Sequence, residues 1–96
     1  MVTREQVRQN RAAILEIANR YGASNVRIFG SVARGDVTES SDLDLLVQLE
    51  PGRSLLDQGG LLMDLCDLLG IKVDVISEGA LQGRFGQLVR QEAVPL

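Results

Sequence analysis

The sequence predicts a small α/β sandwich, with helices laid over one face of a short sheet. Three observations predict it. Two stretches, "DLDLLVQL" (42–49) and "KVDVIS" (72–77), alternate apolar and polar residues with the period of a half-buried strand. Between them, "SLLDQGGLLMDLCDLLG" (54–70) carries Leu61, Leu62, Leu65, Leu68 and Leu69 as a helical stripe, with Asp64 and Asp67 off it. Both ends of the chain also read as helix, and helices alternating with strands pack in layers.

Each element has its own signals. Thr3 caps the first helix and Gln6 completes a capping box. Val7, Ile14, Ala18 and Tyr21 recur at helical spacing, and Gly22 suits the stop. "NVRIFG" (25–30) reads as a strand. "SVARGD" has room for one helical turn, and "GDVTESS" is a polar loop. In 42–49, Leu43, Leu45 and Val47 share one face, Asp42 and Asp44 the other. Pro51-Gly52 then turns the chain. Gly59-Gly60 weakens the next helix by about 1 kcal/mol per glycine relative to alanine, so regular helix is expected from near Gly60. In the third strand Val73 and Val75 face the core, while Lys72, Asp74 and Ile76 point away. "GRFGQLVRQEAVPL" (83–96) closes the chain with a short helix whose apolar residues include Phe85, Leu88 and Val89.

Composition narrows the function. A chain of 96 residues is expected to form one domain, residues 1–96, with a thin core. Its pocket is then shallow, or completed by a partner. A net charge of −3 argues against binding nucleic acid through its phosphate backbone. Only 3% of residues are aromatic, which argues weakly against base stacking. A small anionic ligand, held by local arginines or metal ions, remains allowed. No stretch reaches the ~20 apolar residues of a membrane span, and the polar N-terminus does not read as a signal peptide. Cys66 is the lone cysteine, so no internal disulfide forms and the expected location is the cytoplasm. With no histidine, Ser-His and Cys-His catalysis and histidine-ligated zinc are excluded. Any metal is hard and bound by oxygen.

Against that background, three strand aspartates stand out: Asp42, Asp44 and Asp74. Positions two apart on a strand share a face, so the first two carboxylates can lean together. Two-metal phosphoryl-transfer sites hold their ions roughly 3.5–4 Å apart, a spacing that bridging carboxylates fit. Asp74, if its strand is adjacent, either ligates the second ion or takes a proton from an attacking hydroxyl. Unpaired, these carboxylates repel one another, and magnesium would resolve the repulsion. Gly30 lets the backbone approach a ligand closely. Ser31 and nearby N–H groups can hold phosphate oxygens. Arg34 either joins them as a forked donor or pairs with Asp36 or Glu39.

"GSVARGDVTESSDLDLLV" resembles the signature of the minimal nucleotidyltransferases of the DNA polymerase β superfamily. Gly30, Ser31, Asp42 and Asp44 meet its Gly-Ser, ten residues, Asp-x-Asp pattern without a gap, and Asp74 matches the third aspartate. The resemblance implies a small mixed sheet, with helices on one face and metals on the other. It implies transfer of a nucleoside monophosphate from an NTP, ATP above all, with two magnesium ions and release of pyrophosphate. It also implies an antitoxin role. The partner would be a helical HEPN-domain RNase toxin, adenylylated on a tyrosine within a hetero-oligomer built around a partner dimer. A silent antitoxin acting by contact alone is the alternative. A small-molecule or RNA-end acceptor is disfavoured by the acidic charge and small size.

The bland readings are weaker. Asp-x-Asp alone usually faces solvent, and Gly-Ser alone is a common turn. The chain has neither a P-loop, nor a Rossmann fingerprint, nor an EF-hand. Arg27 and Lys72 read as solvated strand residues. Cys66 reads as core beside Leu65 and Leu69, and Tyr21 as a packed helix end.

Overall fold

The computed structural model describes residues 2–96. The chain runs α1 (Arg4–Gln9), α2 (Arg11–Arg20), β1 (Ala23–Phe29), α3 (Gly30–Arg34), β2 (Leu43–Leu49), α4 (Leu55–Leu69) and β3 (Val73–Ser77). A 3₁₀ turn (Glu78–Ala80), α5 (Gly83–Glu92) and β4 (Val94–Pro95) follow. The strands form one mixed sheet in the order β3-β2-β1-β4. β1 pairs antiparallel with both β2 and β4, while β2 and β3 run parallel and are joined through α4. Among the described residues no helix is long and apolar enough to cross a membrane.

Two helix boundaries depart from expectation. The first helix breaks at Asn10. Its amide nitrogen Nδ2 donates to the Gln6 carbonyl at 2.9 Å, and its backbone N–H donates to Val7 at 3.1 Å. A short amide side chain competes here with the helical ladder. The capping box is as expected: Gln6 N–H donates to Thr3 Oγ1, and Thr3 N–H to Gln6 Oε1. α4 starts at Leu55 rather than near Gly60. Ser54 accepts from Leu56 N–H at 3.2 Å, and Asp57 accepts from Ser54 N–H at 2.9 Å, so a second capping box secures the first turn. Gly60 has a packing reason. A Cβ there would lie 2.5 Å from the Tyr21 ring, whose hydroxyl donates to Asp64 Oδ2 at 2.6 Å.

The main core lies where α2 and α4 cover the sheet. Ile14, Leu43, Leu45, Leu61 and Leu65 are fully buried in it, and Cys66 packs at its margin. The other face of the sheet is half covered. Phe29, Leu46, Leu81 and Val89 form a second, smaller cluster beneath α5. Helices on one face therefore describes the main core, and α5 adds a partial layer to the other. Phe85 and Leu88 are exposed, because Val89 is the residue α5 turns inward. Leu55, Leu56 and Met63 are exposed on α4, and Leu68 faces solvent too. Arg27 is not the solvated residue expected. It donates to Glu78 Oε2 at 2.6 Å, while Arg90 donates to Glu78 Oε1 at 2.7 Å. Glu78 thus ties α5 to β1, and the carboxylate of this pair is held below its ordinary range by the two guanidinium groups.

Candidate active site

The uncovered half of the second face carries the candidate site. Strand alternation sends Leu43, Leu45 and Val47 into the main core and leaves Asp44 on the opposite side. Pairing then fixes its neighbours. Asp44 stands opposite Phe29 of β1 and opposite Asp74 of β3. The parallel β2–β3 register thus brings together two aspartates separated in sequence by the whole of α4. Asp42 precedes β2 by one residue, and Lys72 precedes β3 in the same way. Their charged groups lie 3.8 Å apart. Asp74 is exposed while Asp42 and Asp44 are half-buried, so the site is an open shelf.

Gly30 closes one side of the shelf. Its φ of +75° is a left-handed conformation that disfavours side chains. A Cβ at this position would also run into the Asp44 carboxylate. Both facts require glycine where β1 turns into α3. Ser31 follows, and its carbonyl accepts from Gly35 N–H at 2.9 Å and from Asp36 N–H at 3.1 Å. The expected single helical turn is therefore real. Loop 36–41 is knotted by Ser41, whose hydroxyl accepts from Thr38 N–H at 2.8 Å just before Asp42.

The Asp44 carboxyl is pushed up to about 6. Burial is the largest cause, followed by the negative charges of Asp74 and Asp42, with Arg34 opposing them. Among the described residues no three carboxylates converge on one ion-sized point. The donor set is nonetheless all oxygen, and the Gly30 cradle leaves the Asp44 carboxylate room. Such a set fits a hard divalent cation held by Asp42, Asp44 and Asp74.

Arg34 makes the expected pair with Asp36 and adds a second carboxylate partner. Its Nε donates to Asp36 Oδ2 at 3.1 Å and its Nη1 to Glu92 Oε1 at 2.6 Å. Asp36 was an expected partner and Glu39 is not one. Glu92 was missed altogether: it lies at the far end of α5, and no local spacing marks it. A cavity of about 280 Å³ lies away from the shelf, on the helical side, lined by Val2, Asn10 and residues of α1 together with Leu69 and Ile71.

A glycine-led turn facing carboxylates on the bare half of a mixed sheet is the layout of a phosphoryl-transfer domain. The chain belongs to the nucleotidyltransferase domain family, which matches residues 11–94. Its chemistry is accordingly nucleotidyl transfer. It is 37% identical over 79 residues to "Protein adenylyltransferase MntA" of Thermococcus cleftensis, covering 82% of this chain and 80% of that protein. It is also 37% identical over 81 residues to a provisionally named protein adenylyltransferase of Methanocaldococcus jannaschii, covering 84% and 87%. A solved structure provisionally described as a minimal nucleotidyltransferase superposes with a TM-score of 0.88 at 49% identity, covering 99% of this chain and 97% of that one. A chain from a crystal structure of a toxin-antitoxin with AMP-PNP superposes with a TM-score of 0.77 over 90% of this chain and 71% of that one. At 19% identity it speaks to the fold alone.

Proposed function

We propose that this chain is a magnesium-dependent protein adenylyltransferase that moves AMP from ATP onto a tyrosine of a cognate HEPN-type RNase toxin, acting in the cytoplasm as its antitoxin. The observation that carries the reading is the register of Asp44, set between the Gly30 turn and Asp74. The names of the relatives support protein as the acceptor class. The toxin partner follows from the resemblance of the Gly-Ser and Asp-x-Asp signature, and the fold is shared with a chain of a toxin-antitoxin structure.

Two magnesium ions bound by Asp42, Asp44 and Asp74 would neutralise the phosphates and orient the α-phosphate for in-line attack. The chain's own residues do the rest. The backbone at Gly30 and the Ser31 hydroxyl hold the β- and γ-phosphates. Arg34 offers them a positive charge. The acceptor oxygen forms a bond to the α-phosphorus as the bond to the bridging oxygen breaks, and pyrophosphate leaves with that electron pair. The proton of the hydroxyl passes to the carboxylate side, where exposed Asp74 faces the incoming acceptor. The partner supplies the far wall of this open shelf, within a hetero-oligomer around a partner dimer.

A second reading, inhibition by contact alone, is favoured by the exposed Leu55, Leu56, Met63, Phe85 and Leu88. Intact-mass spectrometry of the co-expressed partner separates the two. AMP transfer adds one or more AMP units, lost with Asp44→Asn and reduced with Ser31→Ala. A partner fully inhibited yet unmodified would favour contact alone.

A further inference from the structure

We infer that Glu92 is a positioning residue for nucleotide binding, fixing Arg34 so that its remaining N–H groups face the phosphates beside Gly30 and Ser31. This inference rests on the nucleotide-transfer reading above.

Arg34 is the last residue of α3, and Gly35 follows it in a left-handed conformation. A long side chain leaving so short a helix is conformationally free unless something holds it. Two carboxylates do, and they are unequal. Asp36 is two residues away and its side chain is 61% exposed. A local, solvated pair of that kind holds little. Glu92 comes from the far end of the chain, is 28% exposed, and makes the shorter bond at 2.6 Å. A short, charge-assisted hydrogen bond fixes direction as well as distance.

Glu92 is itself well anchored. It is the last residue of α5, and Ala93 N–H after it donates to Val89 at 2.9 Å. Val94 then pairs with Ile28, and Leu96 N–H donates to Val26. On its other side α5 is tied down through Arg90 and Glu78. The carboxylate is thus carried on backbone locked to the central sheet. The pair stands beside the shelf, since α3 opens at Gly30 against the Asp44 carboxylate and Arg34 lies one helical turn further on. The Nε edge and one Nη of the guanidinium are taken by carboxylates. The remaining donors form the side still available to a ligand oxygen.

The plain alternative is that the pair only staples α5 to α3. A charge swap distinguishes the two. Arg34→Glu combined with Glu92→Arg keeps the staple but places a carboxylate where phosphate would bind. Calorimetry with Mg-ATP on the full chain, beside thermal melts, is the test. Glu92→Ala is expected to weaken ATP binding about tenfold, and Glu92→Gln, which keeps an acceptor, about threefold. Arg34→Ala combined with Glu92→Ala should bind no worse than Arg34→Ala alone, because Glu92 acts through Arg34. The swap should recover the melting temperature but not the affinity. Additive losses, an affinity restored by the swap, or unchanged or tighter binding in Glu92→Ala would overturn the role of Glu92. A wild-type chain that binds no ATP would overturn this inference and the transfer reading together.

Discussion

The two faces of β2 are built from alternate residues of one short strand, yet they behave as different materials. On one face Leu43, Leu45 and Val47 are sealed against α2 and α4, with no more than 1% of any of them exposed. On the other, Leu46 is sealed beneath α5 while its neighbour two residues back, Asp44, lies on open shelf. The comparison teaches that stability and chemistry are separated here by a shift of one residue. The first face carries most of the buried core, which leaves half of the second to carry a destabilising cluster of like charges.

The sharpest test of that separation is Asp44→Asn. AMP transfer is expected to fall at least about a thousandfold, roughly 4 kcal/mol of barrier, with the circular dichroism spectrum unchanged. A variant that lost its fold would break the comparison. Next in size is the converse, Leu45→Ala. Removing a fully buried leucine costs about 2–5 kcal/mol, so the melting temperature should drop by about 10 °C or more. Whatever fraction of the protein stays folded should keep its nucleotide affinity.

A smaller effect is the pH dependence of the metal-free protein. The Asp44 carboxyl titrates at about 6 when folded, against an ordinary 3.8. The folded state therefore holds this proton more tightly than the unfolded state does. Its stabilising contribution is fully present below pH 4 and is lost as pH rises through 6. Because the group is partly solvated, about 1 kcal/mol is expected across that window. Urea melts of wild type and Asp44→Asn isolate it. The difference between the two should favour the asparagine variant at pH 7 and vanish near pH 4. Equal stability at both pH values would mean that burial and the neighbouring carboxylates do not raise the Asp44 carboxyl.

The smallest effect belongs to the sealed side. A Cβ at Gly59 meets nothing, so Gly59→Ala should stabilise by about 0.5–1 kcal/mol. Gly60→Ala meets the Tyr21 ring and should destabilise instead. Thermal melts of the pair would check the sign at each glycine.

Much of this was legible in the sequence, for a physical reason. Alternation with period two fixes which residues share a strand face, so Leu43, Leu45, Asp44 and Asp74 could all be assigned to their sides. Gly30-Ser31 at the end of a strand marked the turn. What escaped was partly local capping and partly long-range packing. α4 starts at Leu55 because the Ser54–Asp57 capping box outweighs the low helix propensity of Gly59 and Gly60. The partners of Arg27 and Arg34, Glu78 and Glu92, are distant in sequence and made neighbours only by the packing of α5. Strand β4 was hidden because Val94-Pro95 is too short for any periodicity. The exposure of Phe85 and Leu88 could not be seen, since an apolar residue on a short helix does not announce which way the helix will roll.

The parallel pairing of β3 has a kinetic consequence. Asp74 belongs to a strand at the edge of the sheet, tied to α4 by the Gln58 side chain, which donates to the Val75 carbonyl at 2.8 Å. Edge elements are among the first to open in native-state fluctuations. Each such opening would carry Asp74 away from Asp44 and relieve their repulsion, so the bare protein gains from it. A cation bound between them reverses that gain. Backbone amides of β3 should then exchange hydrogen quickly in the metal-free protein and slow more than those of β1 when magnesium is added, making the edge strand a reporter of occupancy.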